Sequence, residues 1–220
     1  QHVDKVNLVF VCSPNNPTGN LLAKQQIESV LNMCQDKALV VVDEAYIEFA
    51  FESNWAQALV KYPNLVVLRT LSKAFALAGL RCGFTLAAPE IIQTLLKVIA
   101  PYPIPEPVAQ IAAQGLAKNP IQRMRTQVDI LARERSRLVD ALRHFDDLTL
   151  VGDLYANFIL FRHPRKDDLM QYLVLHGMLI RDQSKQLNLE NCLRISIGSP
   201  AQNDRLLSLM QSFFTQEETV

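Results

Sequence analysis

The sequence predicts an α/β layered domain followed by a smaller α+β domain. Three observations point there. The first hundred residues carry four short apolar runs rich in β-branched residues, with a helical pattern between the first two. A proline-dense stretch then interrupts the chain at 101–107. Beyond it, helices and short strands follow in a different order.

The four runs are VNLVFVC (6–12), ALVVVD (38–43), NLVVLRT (64–70) and GFTLAA (83–88). Near-continuous apolarity is the pattern of strands covered on both faces, so a mostly parallel sheet with helices on both faces is expected. Between the first two, Ile27, Val30, Leu31 and Cys34 recur at spacings of three and four, giving an amphipathic helix. In such a layered domain the binding crevice lies at the carboxyl ends of the strands. PYPIPEP (101–107) holds four of the eleven prolines and cannot be continuous helix or central strand. It places a domain junction, with residues 1–104 before it and 105–220 after.

Asn119-Pro120 reads as an N-cap and first-turn pair opening a long helix, with Val128, Leu131, Leu138, Leu142 and Phe145 on one face. Short strands are expected near 148–151, 157–162 and 192–197, with a helix near 166–176. A last helix starts at Ser199-Pro200 and turns Leu206, Leu209, Met210 and Phe213 inward.

Composition narrows the function. Twenty-two Lys and Arg balance 22 Asp and Glu, which removes the electrostatic case for a nucleic-acid or membrane-surface binder. No apolar run approaches the length that spans a bilayer, and QHVDK is no signal peptide. Cys12, Cys34, Cys82 and Cys192 lie far apart with no CxxC pair, so free thiols in a reduced, cytoplasmic compartment are expected. His2, His144, His163 and His176 lack metal-ligand spacing and read as structural or solvent-facing; no metal is expected. The chain begins with Gln and runs almost at once into a strand, which reads as a cut.

Four polar clusters sit at strand ends: SPNNPTG (13–19), DEAY (43–46), TLSK (70–73) and, before the fourth strand, GLRCG (79–83). Each alone has an ordinary reading. Asn-Pro-Gly sets make turns, Asp43 suits a cap, Tyr46 suits packing, and Lys73 and Arg81 suit a solvated surface. Together they gather a lysine, an arginine, a carboxylate, hydroxyls, a phenol and an amide at one sheet edge. Pyridoxal 5′-phosphate (PLP) catalysis needs that set. A lysine forms a Schiff base with the aldehyde, and a carboxylate keeps the ring nitrogen protonated. Hydroxyls and an arginine hold the phosphate, and donors hold the phenolate oxygen.

The clusters SPNNPTG, DEAY and TLSKAFALAGLRCG (70–83) closely resemble the signatures of the fold-type I, aspartate-aminotransferase-like PLP enzymes. Within them, YANFILFR (155–162), GMLIRD (177–182) and CLRISIGSPAQNDRLL (192–207) are similar to the histidinol-phosphate aminotransferase branch. The resemblance implies part of a PLP-dependent transferase large domain plus a small C-terminal domain joined by a long interdomain helix. It implies that Lys73 is the Schiff-base lysine and proton shuttle, that Asp43 pairs with the pyridine nitrogen, and that Asn16 and Tyr46 bond the phenolate oxygen. Ser72 and Arg81, with Thr70 nearby, hold the phosphate. Arg194 and Arg181 bind the substrate's anionic group, and Asn157 either lines the site or bonds internally.

The implied reaction is transfer of an amino group between histidinol phosphate and 2-oxoglutarate or glutamate, in histidine biosynthesis, by a cytoplasmic homodimer. Family members carry more than a hundred further residues before the first strand, so this chain alone is expected to be inactive. Two alternatives share the motifs: a PLP-dependent decarboxylase of a phosphorylated amino acid, and a non-catalytic PLP-fold module.

Overall fold

The computed structural model describes residues 5–215; His2 lies outside them. The chain divides into two compact units, Gln1–Asn15 with Leu21–Val128, and Asn16–Asn20 with Asp129–Val220.

The first unit is built on a four-stranded sheet, ordered β1 (Leu8–Cys12), β2 (Leu39–Asp43), β3 (Leu65–Thr70) and β4 (Gly83–Ala87). The first three strands pair in parallel and β4 runs antiparallel to β3. Helix α1 (Lys24–Met33) makes the crossover from β1 to β2 and buries Ile27 and Leu31. They pack with Val40, Val42, Leu65 and Val67 of the central strands and with Trp55 and Tyr62 from the 3₁₀ turns that follow β2. Each such side chain contributes about 1.5–3 kcal/mol by leaving water.

Coverage on both faces holds for the central strands and not for the outer two. Val40, Val41, Val42, Leu65, Val66 and Val67 are buried, whereas Phe10 on β1 remains 65% exposed and Phe84 on β4 is exposed too. The reason is position: β1 and β4 are the two edges of the sheet. Apolarity of sequence cannot separate an edge strand from a central one.

Helix α2 (Pro89–Leu96) and helix α3 (Glu106–Gly115) were not marked by the sequence pattern. Both begin with proline in the first turn, where the missing N–H costs nothing. The end of the proline stretch thus starts a helix. The long helix α4 (Lys118–Leu142) begins one residue before Asn119, so Asn119 sits inside the first turn and is not its cap. The Ile121 amide bonds to the Ala117 carbonyl, which closes that turn. No helix among the described residues is long and apolar enough to cross a membrane.

The second unit carries an antiparallel sheet ordered β5 (Thr149–Val151), β6 (Phe158–Arg162), β8 (Cys192–Ser196) and β7 (Arg181–Asp182). Strand β7 is only two residues long, too short for a periodic signal. Helix α5 (Lys166–Leu175) and helix α6 (Pro200–Thr215) pack on this sheet through Leu169, Leu173, Leu206, Met210 and Phe213. Leu138, Val139 and Leu142 of α4 join the same core. Ser199 and Gln202 cap α6 reciprocally: the Gln202 amide reaches Ser199 Oγ at 3.4 Å and the Ser199 amide reaches Gln202 Oε1 at 2.9 Å.

Segment 16–20 belongs to this second unit although β1 precedes it. The Asp153 amide donates to the Thr18 carbonyl at 3.0 Å, and the Tyr155 amide to the Gly19 carbonyl at 3.2 Å. Gly152 sits at φ +75°, where a Cβ would lie 2.0 Å from the Thr18 carbonyl oxygen. Neither the dihedral nor the space admits a side chain. Gly152→Ala is therefore expected to cost about 1–3 kcal/mol in denaturant unfolding. An unchanged midpoint would show that segment 16–20 is not held against residue 152.

Candidate functional site

Parallel pairing brings the carboxyl ends of β1, β2 and β3 together. Cys12 stands opposite Asp43, and Asp43 opposite Leu68. The chain leaves β2 through Glu44-Ala45-Tyr46 and leaves β3 through Leu71-Ser72-Lys73. Between those exits lies a cavity of about 310 Å³ lined by Asp43, Ala45, Leu68, Arg69, Thr70, Ser72, Lys73 and Arg81. That volume is at the small end of the range of about 300–1,000 Å³ for ligand pockets.

Each side chain in it is set by local structure. Asp43 Oδ1 accepts the Ala45 amide at 2.9 Å, which fixes the carboxylate and leaves its other oxygen for a ligand. Thr70 Oγ1 accepts the Ser72 amide at 3.1 Å and lies 2.9 Å from Ser72 Oγ. Thr70 thus organises the turn that presents Ser72 and Lys73. Lys73 Nζ stands 5.2 Å from the centre of the Tyr46 ring, and Tyr46 is buried. Arg81 adopts a left-handed backbone, φ +53°, after a short 3₁₀ turn, and its Nη1 donates to the Ala78 carbonyl at 3.1 Å. A non-glycine residue is uncommon there, and Arg81 is one of seven such residues among those described.

Three charged residues nearby, Glu44, Glu48 and Arg69, had no role assigned from the sequence. Glu44 is fully buried. Its Oε2 receives Arg69 Nε at 2.8 Å and its Oε1 receives the Trp55 amide at 2.5 Å. Burial pushes Glu44 above the ordinary carboxylate range, while the Arg69 charge and the Trp55 amide pull it back. Glu48 is raised as well, first by burial, with Glu44's charge adding to it and Arg69's opposing. An arginine inside an apolar strand and a glutamate beside Asp43 were the available signals.

In the second unit, Arg194 of β8 donates a short hydrogen bond to Asn16 Oδ1, and its guanidinium carbon lies 4.9 Å from the centre of the Phe158 ring. Arg181 of β7 is the direct cross-strand partner of Arg194. Two arginines opposed in this way repel, and an anion between them relieves that repulsion. The Asn157 carbonyl accepts the Ile197 amide at 2.9 Å. Ser13 is buried, and its Oγ accepts the Leu22 amide at 3.1 Å, a structural role in the first unit. His163 is buried against Phe214 and pushed down by that burial; His144 and His176 bond backbone carbonyls on exposed helix ends.

The family described as aminotransferase class I and II matches residues 1–209. The chain belongs to that family. This chain is 60% identical over 211 residues to the histidinol-phosphate aminotransferase of Pseudoalteromonas atlantica, covering 96% of this chain and 57% of that protein. It thus spans little more than half the length of that curated relative. The crystal structure of the histidinol-phosphate aminotransferase from Clostridium acetobutylicum is similar at a TM-score of 0.90 and 25% identity, over 98% of this chain and 66% of that one. The Sinorhizobium meliloti histidinol-phosphate aminotransferase, solved in complex with pyridoxal-5′-phosphate, aligns at a TM-score of 0.80 and 25% identity, over 94% and 58%.

The strand that carries Arg181 is tethered by Asp182. Its Oδ2 pairs with Lys166 Nζ at 2.9 Å, and its Oδ1 takes the Ser184 amide at 2.8 Å. Burial alone would raise Asp182, but Lys166 and Ser184 outweigh it and hold the carboxyl at about 2, from an ordinary 3.8. A lowered carboxyl gives stability that is present above the unfolded value and lost as pH falls toward the folded one. Unfolding measured between pH 5 and about 2 should therefore show a steeper acid loss in the parent than in Asp182→Asn. Equal slopes would mean that Asp182 is not held by this pair.

Proposed function

We propose that the whole protein is a PLP-dependent aminotransferase moving an amino group between histidinol phosphate and 2-oxoglutarate or glutamate, in histidine biosynthesis. The observation that carries this reading is the cavity in which Asp43, Ser72, Lys73 and Arg81 converge.

The residues fit the cofactor by their chemistry. Asp43 has one carboxylate oxygen anchored by Ala45 and the other available for a protonated ring nitrogen. Ser72 and Arg81 offer a hydroxyl and a guanidinium to a phosphate, with Thr70 holding the turn. Bound PLP supplies an electron sink that lets the substrate's amino-bearing carbon give up its proton. Lys73 would be the amine that holds the cofactor and, when free, the base that carries that proton. Tyr46, its ring beside Lys73, would offer its phenol hydroxyl to the phenolate oxygen. Asn16 spends its side-chain oxygen on Arg194, which leaves its NH₂ as the donor that a phenolate oxygen needs.

Arg194 and Arg181 take the anionic end of each substrate. Glutamate brings carboxylates and histidinol phosphate brings a phosphate, and a guanidinium suits both. Asn157 lines the same place. The reading takes residues 1–104 as the remainder of the cofactor domain and 105–220 as the small domain with its long helix. It makes the whole protein a cytoplasmic homodimer; the three buried free thiols, Cys34, Cys82 and Cys192, suit a reducing compartment.

Incubation with PLP, borohydride reduction and mass spectrometry should give one cofactor adduct, mapped to Lys73 and absent from Lys73→Ala. In the whole protein, histidinol phosphate plus 2-oxoglutarate should yield glutamate, and Lys73→Ala should lower that turnover by at least about a thousandfold. Carbon dioxide release from a phosphorylated amino acid would instead mark a decarboxylase. Arg194→Ala should raise KM for both substrates about ten- to a hundredfold, the worth of one hydrogen bond to a charged group. An unchanged KM would remove Arg194 from substrate binding.

A further inference from the structure

We propose that the buried Glu44–Arg69 pair is a positioning device for the cofactor seat, holding Arg69 as part of its wall and tying the exit of β2 to the exit of β3. This rests on the reading of the cavity as the PLP site.

Glu44 directly follows Asp43, and Arg69 directly precedes Thr70, whose hydroxyl organises Ser72 and the Lys73 turn. The pair therefore bridges the two backbone points from which the cofactor's ring-nitrogen partner and its lysine depart. Backbone bonding adds a second tie at the same place, since the Glu44 amide donates to the Leu68 carbonyl at 2.9 Å. On the far side Glu44 Oε1 takes the Trp55 amide, so the 3₁₀ turns after Tyr46 hang on the same carboxylate.

Arg69 belongs both to the ion pair and to the cavity lining. Its guanidinium pairs with Glu44, and the same residue lines the cavity beside Asp43, Lys73 and Arg81. Nε and Nη2 both approach Oε2, at 2.8 and 2.7 Å, but only Nε is aligned as a hydrogen bond. Nη2 is buried and has no aligned acceptor among the described residues. The nearby Glu48 Oε2 is also buried without a hydrogen-bond partner among them. The guanidinium thus answers Glu44 and leaves Glu48 Oε2 without a hydrogen bond among the described residues.

Such a cluster is a poor way to stabilise a sheet. Desolvating a buried ion pair costs about as much as the attraction returns, and apolar replacement is often neutral or better. What the pair does supply is direction. A bridging carboxylate with two aligned donors, the Arg69 Nε and the Trp55 amide, fixes their relative placement within narrow limits, which apolar packing does not. The sheet around it is already held by Val40, Val42, Leu65 and Val67.

The single Glu44→Gln variant leaves a buried guanidinium without its counter-ion and can fail to fold. The test is therefore the double variant Glu44→Gln/Arg69→Met in the whole protein, which removes both charges at similar volume. PLP affinity is read by absorbance titration, the seat's asymmetry by visible circular dichroism of bound PLP, and folding by thermal melting of the cofactor-free protein. We expect melting close to that of the parent, PLP bound at least about tenfold more weakly (~1.4 kcal/mol), and an altered visible band. A smaller loss of affinity overturns the proposal. So does a collapse of melting in the double variant, which would make the pair structural. Absence of a reduced Lys73 adduct in the parent would instead sink the cofactor reading itself.

Discussion

The parallel pairing of β1, β2 and β3 is the constraint on which the site depends. Parallel strands end on one edge, so whatever follows each strand is delivered to the same place. Asp43 opposite Leu68 in register sets the β2 exit beside the β3 exit, and a slip of one residue would turn Asp43 to the other face. The valines and leucines of β2 and β3 fix that register by being buried. The cavity's polar residues are thus placed by apolar packing they take no part in.

The edge of that sheet also explains why buried charge is tolerated. Glu44, Glu48 and Arg69 lie where strands end and backbone donors such as the Trp55 amide become available. In the strand centres no such donors exist, and a charge there would go unanswered. The second unit uses the same economy differently. Arg194 leans on Phe158 and on Asn16, so one guanidinium is oriented by a ring and by an amide.

Segment 16–20 illustrates how far chain order and spatial order can part. SPNNPTG is one turn-like motif in sequence, yet Ser13 bonds within the first unit and Thr18-Gly19 bonds within the second. The close approach of Gly152 to Thr18 allows this. Gly19, at φ +69°, also leaves no room for a side chain against the Asp153 carbonyl. Two glycines in left-handed conformations let two backbones touch where side chains could not.

The α/β class and seven of the eight strands among the described residues are legible in consecutive positions, as is the polar set, Asp43, Ser72, Lys73 and Arg81, that lines one cavity. Their signals are local: a strand's period and the polar residues that end it are written in consecutive positions. Tertiary structure alone decided the rest. It made β1 and β4 edges, because edge and centre differ in neighbours and not in sequence. It formed β7 from two residues whose only reason to be extended is pairing with β8. It set the long helix to begin at Lys118, since Ala117 could close its first turn without Asn119 as a cap. And it brought Arg69 to Glu44 across 25 residues of chain, a contact that exists only once two parallel strands have found their register.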